Sequence, residues 1–160
     1  MPIPPFVVAL RRHVGHAPLW LAGVTAVVLR GQPESDLEVL LVQRSDTGEW
    51  GPVTGIIEPG EEAHVSAERE VLEEAGVVAE VERLVWVSSG PLEQHPNGDQ
   101  AQYLDHTFRM RAVGGEPRRD GDETLAARWF SVYEMPPLRA SFRSRIICAV
   151  ADEPECRLGH

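Results

Sequence analysis

The chain has 160 residues, room for one domain with a sizeable core and too little for two of ordinary size. At 42% hydrophobic and 25% charged it has the make-up of a folded globular protein, and fifteen basic against twenty-five acidic residues leave a formal charge of -10. That balance argues against nucleic acid or an anionic membrane as the main partner. Every basic residue is Arg, and without Lys neither Schiff-base chemistry nor a P-loop is available. Cys148 and Cys156 have no C-x-x-C spacing and are too few for a disulfide scaffold or a zinc site, so a reducing, cytoplasmic setting is expected. The start lacks the pattern of a signal peptide, and no apolar run approaches the ~20 residues of a membrane span.

In chain order, a proline pair precedes Phe6, Val7, Leu10 and Val14 at helical spacing, which predicts a short helix at about 5–15 lying as a lid on the core. Two β-branched runs, Val24 to Leu29 and Glu38 to Arg44, flank a polar turn from Gly31 to Asp36 and read as neighbouring strands. A helix is predicted from Ala63 to Ala75, with Gly76 as its C-cap. Strands follow at Val81 to Ser88 and Tyr103 to Val113, where Leu104, Phe108, Met110 and Ala112 share one face and Arg109 and Arg111 the other. After a Gly-, Pro- and charge-rich loop from Gly114 to Glu123, Ala127 to Val132 reads as a short strand. Phe142, Ile146, Ile147 and Val150 then form the stripe of a last helix at about 140–151. With no repeat, linker or boundary, residues 1–160 read as a single domain of α/β (α+β) class, helices covering a mixed sheet.

The chemistry is concentrated in the Ala63–Ala75 helix. At ~100° per residue, Glu70, Glu73 and Glu74 gather on one side, with Val65, Val71, Leu72 and Ala75 roughly opposite. Three carboxylates this close repel one another, and Arg69 supplies a single charge, so the arrangement suits a hard divalent cation, Mg²⁺ or Mn²⁺.

As a pattern the segment reads Gly-x5-Glu-x7-Arg-Glu-apolar-x-Glu-Glu-x-Gly-apolar, carried by Gly55, Glu61, Arg69, Glu70, Val71, Glu73, Glu74, Gly76 and Val77. It resembles the Nudix box of the Nudix hydrolases at every defined position. The resemblance implies an α/β/α sandwich with a mixed β-sheet and a loop-helix-loop metal platform. The implied activity is metal-dependent hydrolysis of a phosphoanhydride bond in a nucleoside diphosphate linked to another moiety, by water attack at phosphorus. An ADP-ribose-like nucleotide sugar and an (oxidised) nucleoside triphosphate are the leading substrates, and a non-catalytic ligand sensor of the same fold is the alternative. Under the resemblance Glu70, Glu73 and Glu74 with the Gly55 carbonyl hold the metal, Arg69 orients a catalytic glutamate and Glu61 supports it. Homodimers are a tendency of the family. The general base stays open between a box glutamate and one on a later loop, where Glu123 is the first candidate and Glu116 the second.

Around the box, Arg44 at a strand end suits phosphate oxygens, and Trp50 is placed to stack on a base or to pack at a strand edge. Thr54 stands where many relatives have a glycine, and Pro91 lies near a position that marks some ADP-ribose-type members. His13 and His16 lack a third ligand, and His95 and His106 are weaker candidates for contact with a base or phosphate.

Overall fold

The computed structural model describes residues 3–121 and 123–160; Met1, Pro2 and Asp122, the last within the predicted Gly114 to Glu123 loop, lie outside the described residues. Helix α1 (Pro5–Val14) opens with proline in its first turn, where a missing N–H costs nothing and the fixed φ suits a helix. It turns Val7 inward against Leu21, Ile56 and Ala101, a lid as predicted, while Leu10 and Val14 stay exposed.

Strand β1 (Leu19–Arg30) is longer than its apolar run because it pairs in parallel with β7 (Gln100–Gly115) from Leu19↔Ala101 to Leu29↔Arg111. Both faces of β1 are covered, which is why its sequence is apolar without alternation. Val24, Ala26 and Val28 join Phe108 and Met110 under helix α2 (Ala63–Ala75), whereas Val27 and Leu29 join Val85 under helix α3 (Ala140–Ala151). The far edge of β1 is shared. Strand β4 (Val53–Ile56) takes most of it antiparallel, and β2 (Glu38–Arg44) meets it only at Leu29↔Val39 and Arg30↔Glu38. The predicted neighbours therefore touch at the turn and then part, β2 going on to pair with β3 (Trp50–Gly51) and β8 (Thr124–Ser131). Beyond β7 come β5 (Val77–Ser89), the β6 (Glu93–Gln94) pairing with the start of β7, and β9 (Arg157–Leu158) on the outer edge of β5. The result is the expected mixed sheet between helices. Among the described residues, no helix is long and apolar enough to cross a membrane.

Two helix faces differ from expectation. On α2 the buried side is Ser66, Ala67, Glu70, Val71, Glu74 and Ala75, while Val65 and Leu72 are exposed. The small residues Ala67, Ala75 and Ser66 let the helix lie close to β4, and this brings two glutamates inward with them. On α3, Ile146 and Ala149 are buried and Ile147 faces solvent, because the helix is also fastened by polar bonds. Buried Asp105 accepts from Thr25 Oγ1 (2.7 Å) and Thr107 Oγ1 (2.8 Å), and Arg145 of α3 donates to Thr25 Oγ1 (3.0 Å). Arg109, on the α3 side as its alternation predicts, donates to the Ala149 carbonyl (2.8 Å).

Candidate active site

The site is built where β4 passes beneath α2. Gly55 pairs with Val24 of β1 and faces Glu70 so closely that a Cβ there would stand 2.4 Å from the Glu70 Cδ and 2.5 Å from its Oε1. Glycine is required by this approach, not by an unusual φ. Gly55→Ala is expected to destabilise the fold by about 1–3 kcal/mol through overpacking and to displace the Glu70 carboxylate, read as a lower urea midpoint at unchanged m together with lost turnover.

Arg69 gathers the acidic residues. Its Nε and Nη2 donate to the two oxygens of Glu61 (2.7 and 2.9 Å), its Nη1 to Glu70 Oε1 (3.0 Å) and Glu73 Oε2 (3.2 Å), and its Nη2 also to Ser66 Oγ (3.3 Å). The paired bonds to Glu61 have the fork geometry that only a planar guanidinium offers. Glu61 also accepts from the Glu58 N–H (3.1 Å), and Arg69 holds its carboxyl below the usual range.

Glu70 and Glu74 are buried, at 1% and 8% exposure, whereas the Glu73 side chain is 54% exposed. Burial pushes Glu70 up to about 7 against the pull of Arg69, and burial together with repulsion from Glu70 pushes Glu74 up to about 8. Glu70 Oε2 is buried with no hydrogen-bond partner among the described residues. Among the described residues, no three His, Cys, Asp or Glu side chains already close into a metal cage. Glu73 turns to the outside, towards Arg69, which accounts for the open arrangement of mutually repelling carboxylates.

Glu74 separates two clefts that also share Arg44, Asp46 and Thr54. One, of about 250 Å³, is bordered by Ser45, Pro52, Glu123 and Phe142. The other, of about 330 Å³, runs under α1 to His95 and Tyr103. Arg44 lies on both, held by Asp46 through Nε–Oδ1 (2.9 Å) and Nη2–Oδ2 (2.7 Å), a pairing that lowers the Asp46 carboxyl to about 2. Glu123 lines the first cleft together with Glu74, its carbonyl accepting from the Ser45 N–H (2.9 Å), while Glu116 is exposed and borders neither cleft.

Trp50 is not brought to either cleft. It packs edge-on against Phe130, ring centroids 5.0 Å apart, because the β2–β3 pairing aims it at the α3-side core. His106 shares its Nδ1 with the Gly23 carbonyl (3.0 Å) and His16 its Nδ1 with Asp99 (2.7 Å), whereas His95 faces the second cleft. The sequence reading missed Asp46, Thr54 and Tyr103. Only Asp46 had a local signal, an acid two residues beyond Arg44 across a turn. Thr54, noted there as a departure from pattern, proves to line both clefts.

The helix carries two buried carboxylates, one of them bordering a cleft beside an arginine, and comparison with known proteins says which class of protein such a site belongs to. Residues 20–150 match the family model described as the NUDIX domain. The chain is 33% identical over 110 residues to a putative 8-oxo-dGTP diphosphatase of Bacillus subtilis (strain 168), covering 69% of this chain and 68% of that protein. It is 30% identical over 116 residues to an ADP-ribose pyrophosphatase of Methanocaldococcus jannaschii, covering 71% and 66%. It is 36% identical over 109 residues to the NAD-capped RNA hydrolase NudC of Pseudomonas putida, covering 64% of this chain but 35% of that one, so the match spans about a third of that relative's length. Among solved structures, an ADP-ribose pyrophosphatase from Streptococcus suis superposes with TM-score 0.63 at 22% identity, covering 87% of this chain and 97% of that one. A Nudix hydrolase from Nitrosomonas europaea gives 0.64 at 26%, covering 83% and 90%. The chain belongs to the Nudix family and is a Nudix hydrolase.

Proposed function

We propose that this hydrolase cleaves a phosphoanhydride bond in a nucleoside diphosphate linked to another moiety, or in a nucleoside triphosphate, with water attacking phosphorus in the presence of Mg²⁺ or Mn²⁺. The observation that carries this reading is the buried pair Glu70 and Glu74, with Glu74 on the wall of both clefts, Glu70 against Gly55, and one Glu70 oxygen lacking a hydrogen-bond partner among the described residues. The residues fit a hard divalent ion: their donors are all oxygen, and the Gly55 approach leaves no room for a side chain between backbone and carboxylate. Glu70, Glu73, Glu74 and the Gly55 carbonyl would hold it. Such an ion, when bound, neutralises phosphate charge and lowers the pKa of a coordinated water.

The chain's own residues do the rest. Arg69 positions Glu61 and Glu70, so the loop before α2 and the helix act as one rigid piece. Glu123, which lines the same cleft as Glu74, would take the proton of the attacking water, a role less suited to Glu116, which is exposed and borders neither cleft. Arg44 exchanges Asp46 for phosphate oxygens, which its planar guanidinium matches in pairs. Names among the relatives, 8-oxo-dGTP diphosphatase and ADP-ribose pyrophosphatase, set the panel for the test. Phosphate-containing products are measured from ADP-ribose, other nucleotide sugars, dinucleoside polyphosphates, and normal and oxidised nucleoside triphosphates, with Mg²⁺, Mn²⁺ or EDTA. The expected result is one substrate class turning over with kcat/KM of about 10⁴ M⁻¹s⁻¹ or more and no turnover in EDTA. Turnover that survives EDTA, or none with any member, overturns the reading.

A further inference from the structure

The cleft under α1 is chemically unlike the carboxylate platform it adjoins. Its far wall is apolar, formed by Ile3, Val7, Leu21 and Ile56, and closed by His95 and Tyr103, whose Nε2 and hydroxyl lie 3.1 Å apart. Its near wall is Arg44 and Glu74, the same residues that border the first cleft. Among the described residues lining it the only other cation is Arg11, and Arg11 is largely committed elsewhere, with only its buried Nε lacking a hydrogen-bond partner among the described residues. Its Nη1 donates to the Gly15 and Ala17 carbonyls and its Nη2 to the Gln100 carbonyl (2.7 Å), with Asp99 at 3.6 Å offsetting its charge. The far end therefore offers a phosphate only the Arg11 Nε, with Asp99 beside it, and offers a flat, uncharged ring apolar faces, with the Tyr103 hydroxyl, the His95 imidazole and the Asn97 amide to meet a polar edge.

Helix α1 lies wholly outside residues 20–150, the stretch matching the family model, yet it supplies Val7 and carries Ile3 before it. We propose that α1 and the His95–Tyr103 pair form a specificity pocket for the nucleobase of the substrate, with the phosphates running from it across Arg44 and Glu74. This rests on the phosphoanhydride-hydrolase reading, which supplies the substrate that spans both ends. Arg11 fastens α1 to the start of β7, so the pocket is preformed and its contacts count for binding, not for the chemical step.

The test has two arms. In EDTA, AMP, GMP, CMP and UMP are titrated calorimetrically into the wild-type chain and into Ile3→Asp, His95→Ala and Tyr103→Phe, with inorganic tripolyphosphate as the ring-free competitor. With metal, steady-state kinetics are measured on whichever member of the substrate panel is hydrolysed, and Leu10→Ala, exposed on α1 away from the cleft, is the control. The expected result is that at least one nucleotide binds and tripolyphosphate does not displace it. Ile3→Asp and His95→Ala should raise Kd and KM about tenfold with kcat within about threefold, Tyr103→Phe should change the order of preference among the four bases, and Leu10→Ala should change nothing. Hydrolysis with KM unmoved in Ile3→Asp and His95→Ala overturns the pocket and leaves the activity standing. Nucleotide binding lost in those variants, with no panel member hydrolysed by the wild type, overturns the activity and supports the pocket. Absence of both overturns both.

Discussion

Glu70→Gln and Glu74→Gln are each expected to lower kcat/KM by about 10²-fold or more, the scale seen when one charge-stabilising group is removed from a phosphoryl or acyl site. Glutamine keeps the shape and loses the anion that a divalent ion requires. The same substitutions should leave the metal-free chain as stable as the parent or more so at pH 8, because an ionised carboxylate at 1% or 8% exposure has lost its hydration, a loss that the Arg69 bond to Glu70 offsets only in part. Steady-state kinetics and thermal melts in EDTA check the two halves together. Variants that lose turnover because they unfold would show a fall in melting temperature; a non-catalytic sensor would show altered ligand binding and no turnover to lose.

The second large effect is a dependence of stability on pH that metal removes. Glu70 and Glu74 titrate near 7 and 8 in the folded chain against an ordinary 4.5, so the folded state binds more protons than the unfolded one. Their contribution to stability is full below about pH 4.5 and is lost as pH rises through 7 and 8. In EDTA the melting temperature should fall by several degrees between pH 6 and pH 9, a shift that corresponds to one or more kcal/mol in a domain of this size. A bound Mg²⁺ or Mn²⁺ would require the deprotonated pair, so on the proposed reading the stabilisation it confers should grow over the same interval and flatten the profile. Glu70→Gln should make it shallower without metal, leaving the part that comes from the burial of Glu74. A melting temperature that rises from pH 6 to pH 9 in EDTA would show that the pair is not buried in the charged form.

Elements whose signal is local were legible in the sequence. The α2 bounds, Ala63–Ala75 with its Gly76 cap, coincide with the prediction because helix-forming residues end at a glycine that adopts φ 70. The α3 bounds and the β2 run were equally clear, being set by periodicity and by a turn on one side. Strand ends were not: β1 and β7 extend into Leu19–Gly23 and Gln100–Gln102 because each is the other's parallel partner across some eighty residues of chain. No window of sequence contains that pairing.

The candidate site divides in the same way. The spacing of Gly55, Glu61, Arg69, Glu70, Glu73 and Glu74 is a property of the chain, and so is the resemblance it carries. Which of these carboxylates are buried is a property of packing. Helical periodicity placed Glu70, Glu73 and Glu74 together and Val65 and Leu72 against the core, but Ala67 and Ala75 let α2 settle on β4 through the side that carries Glu70 and Glu74. The raised carboxyls follow first from the burial that this rotation brings. Likewise Arg44 could be nominated from its strand end, whereas its hold on Asp46, the exclusion of Trp50 by Phe130, and the assembly of a cleft from α1, β1, β4 and the β6–β7 turn required the sheet to be folded. The amino-acid sequence by itself determined the charge, the acidic helix and the order of chemical groups along it, because these depend on residues a few positions apart. The tertiary structure alone decided which groups lose water and which meet across the cleft, because desolvation and contact depend on what the rest of the chain places opposite them.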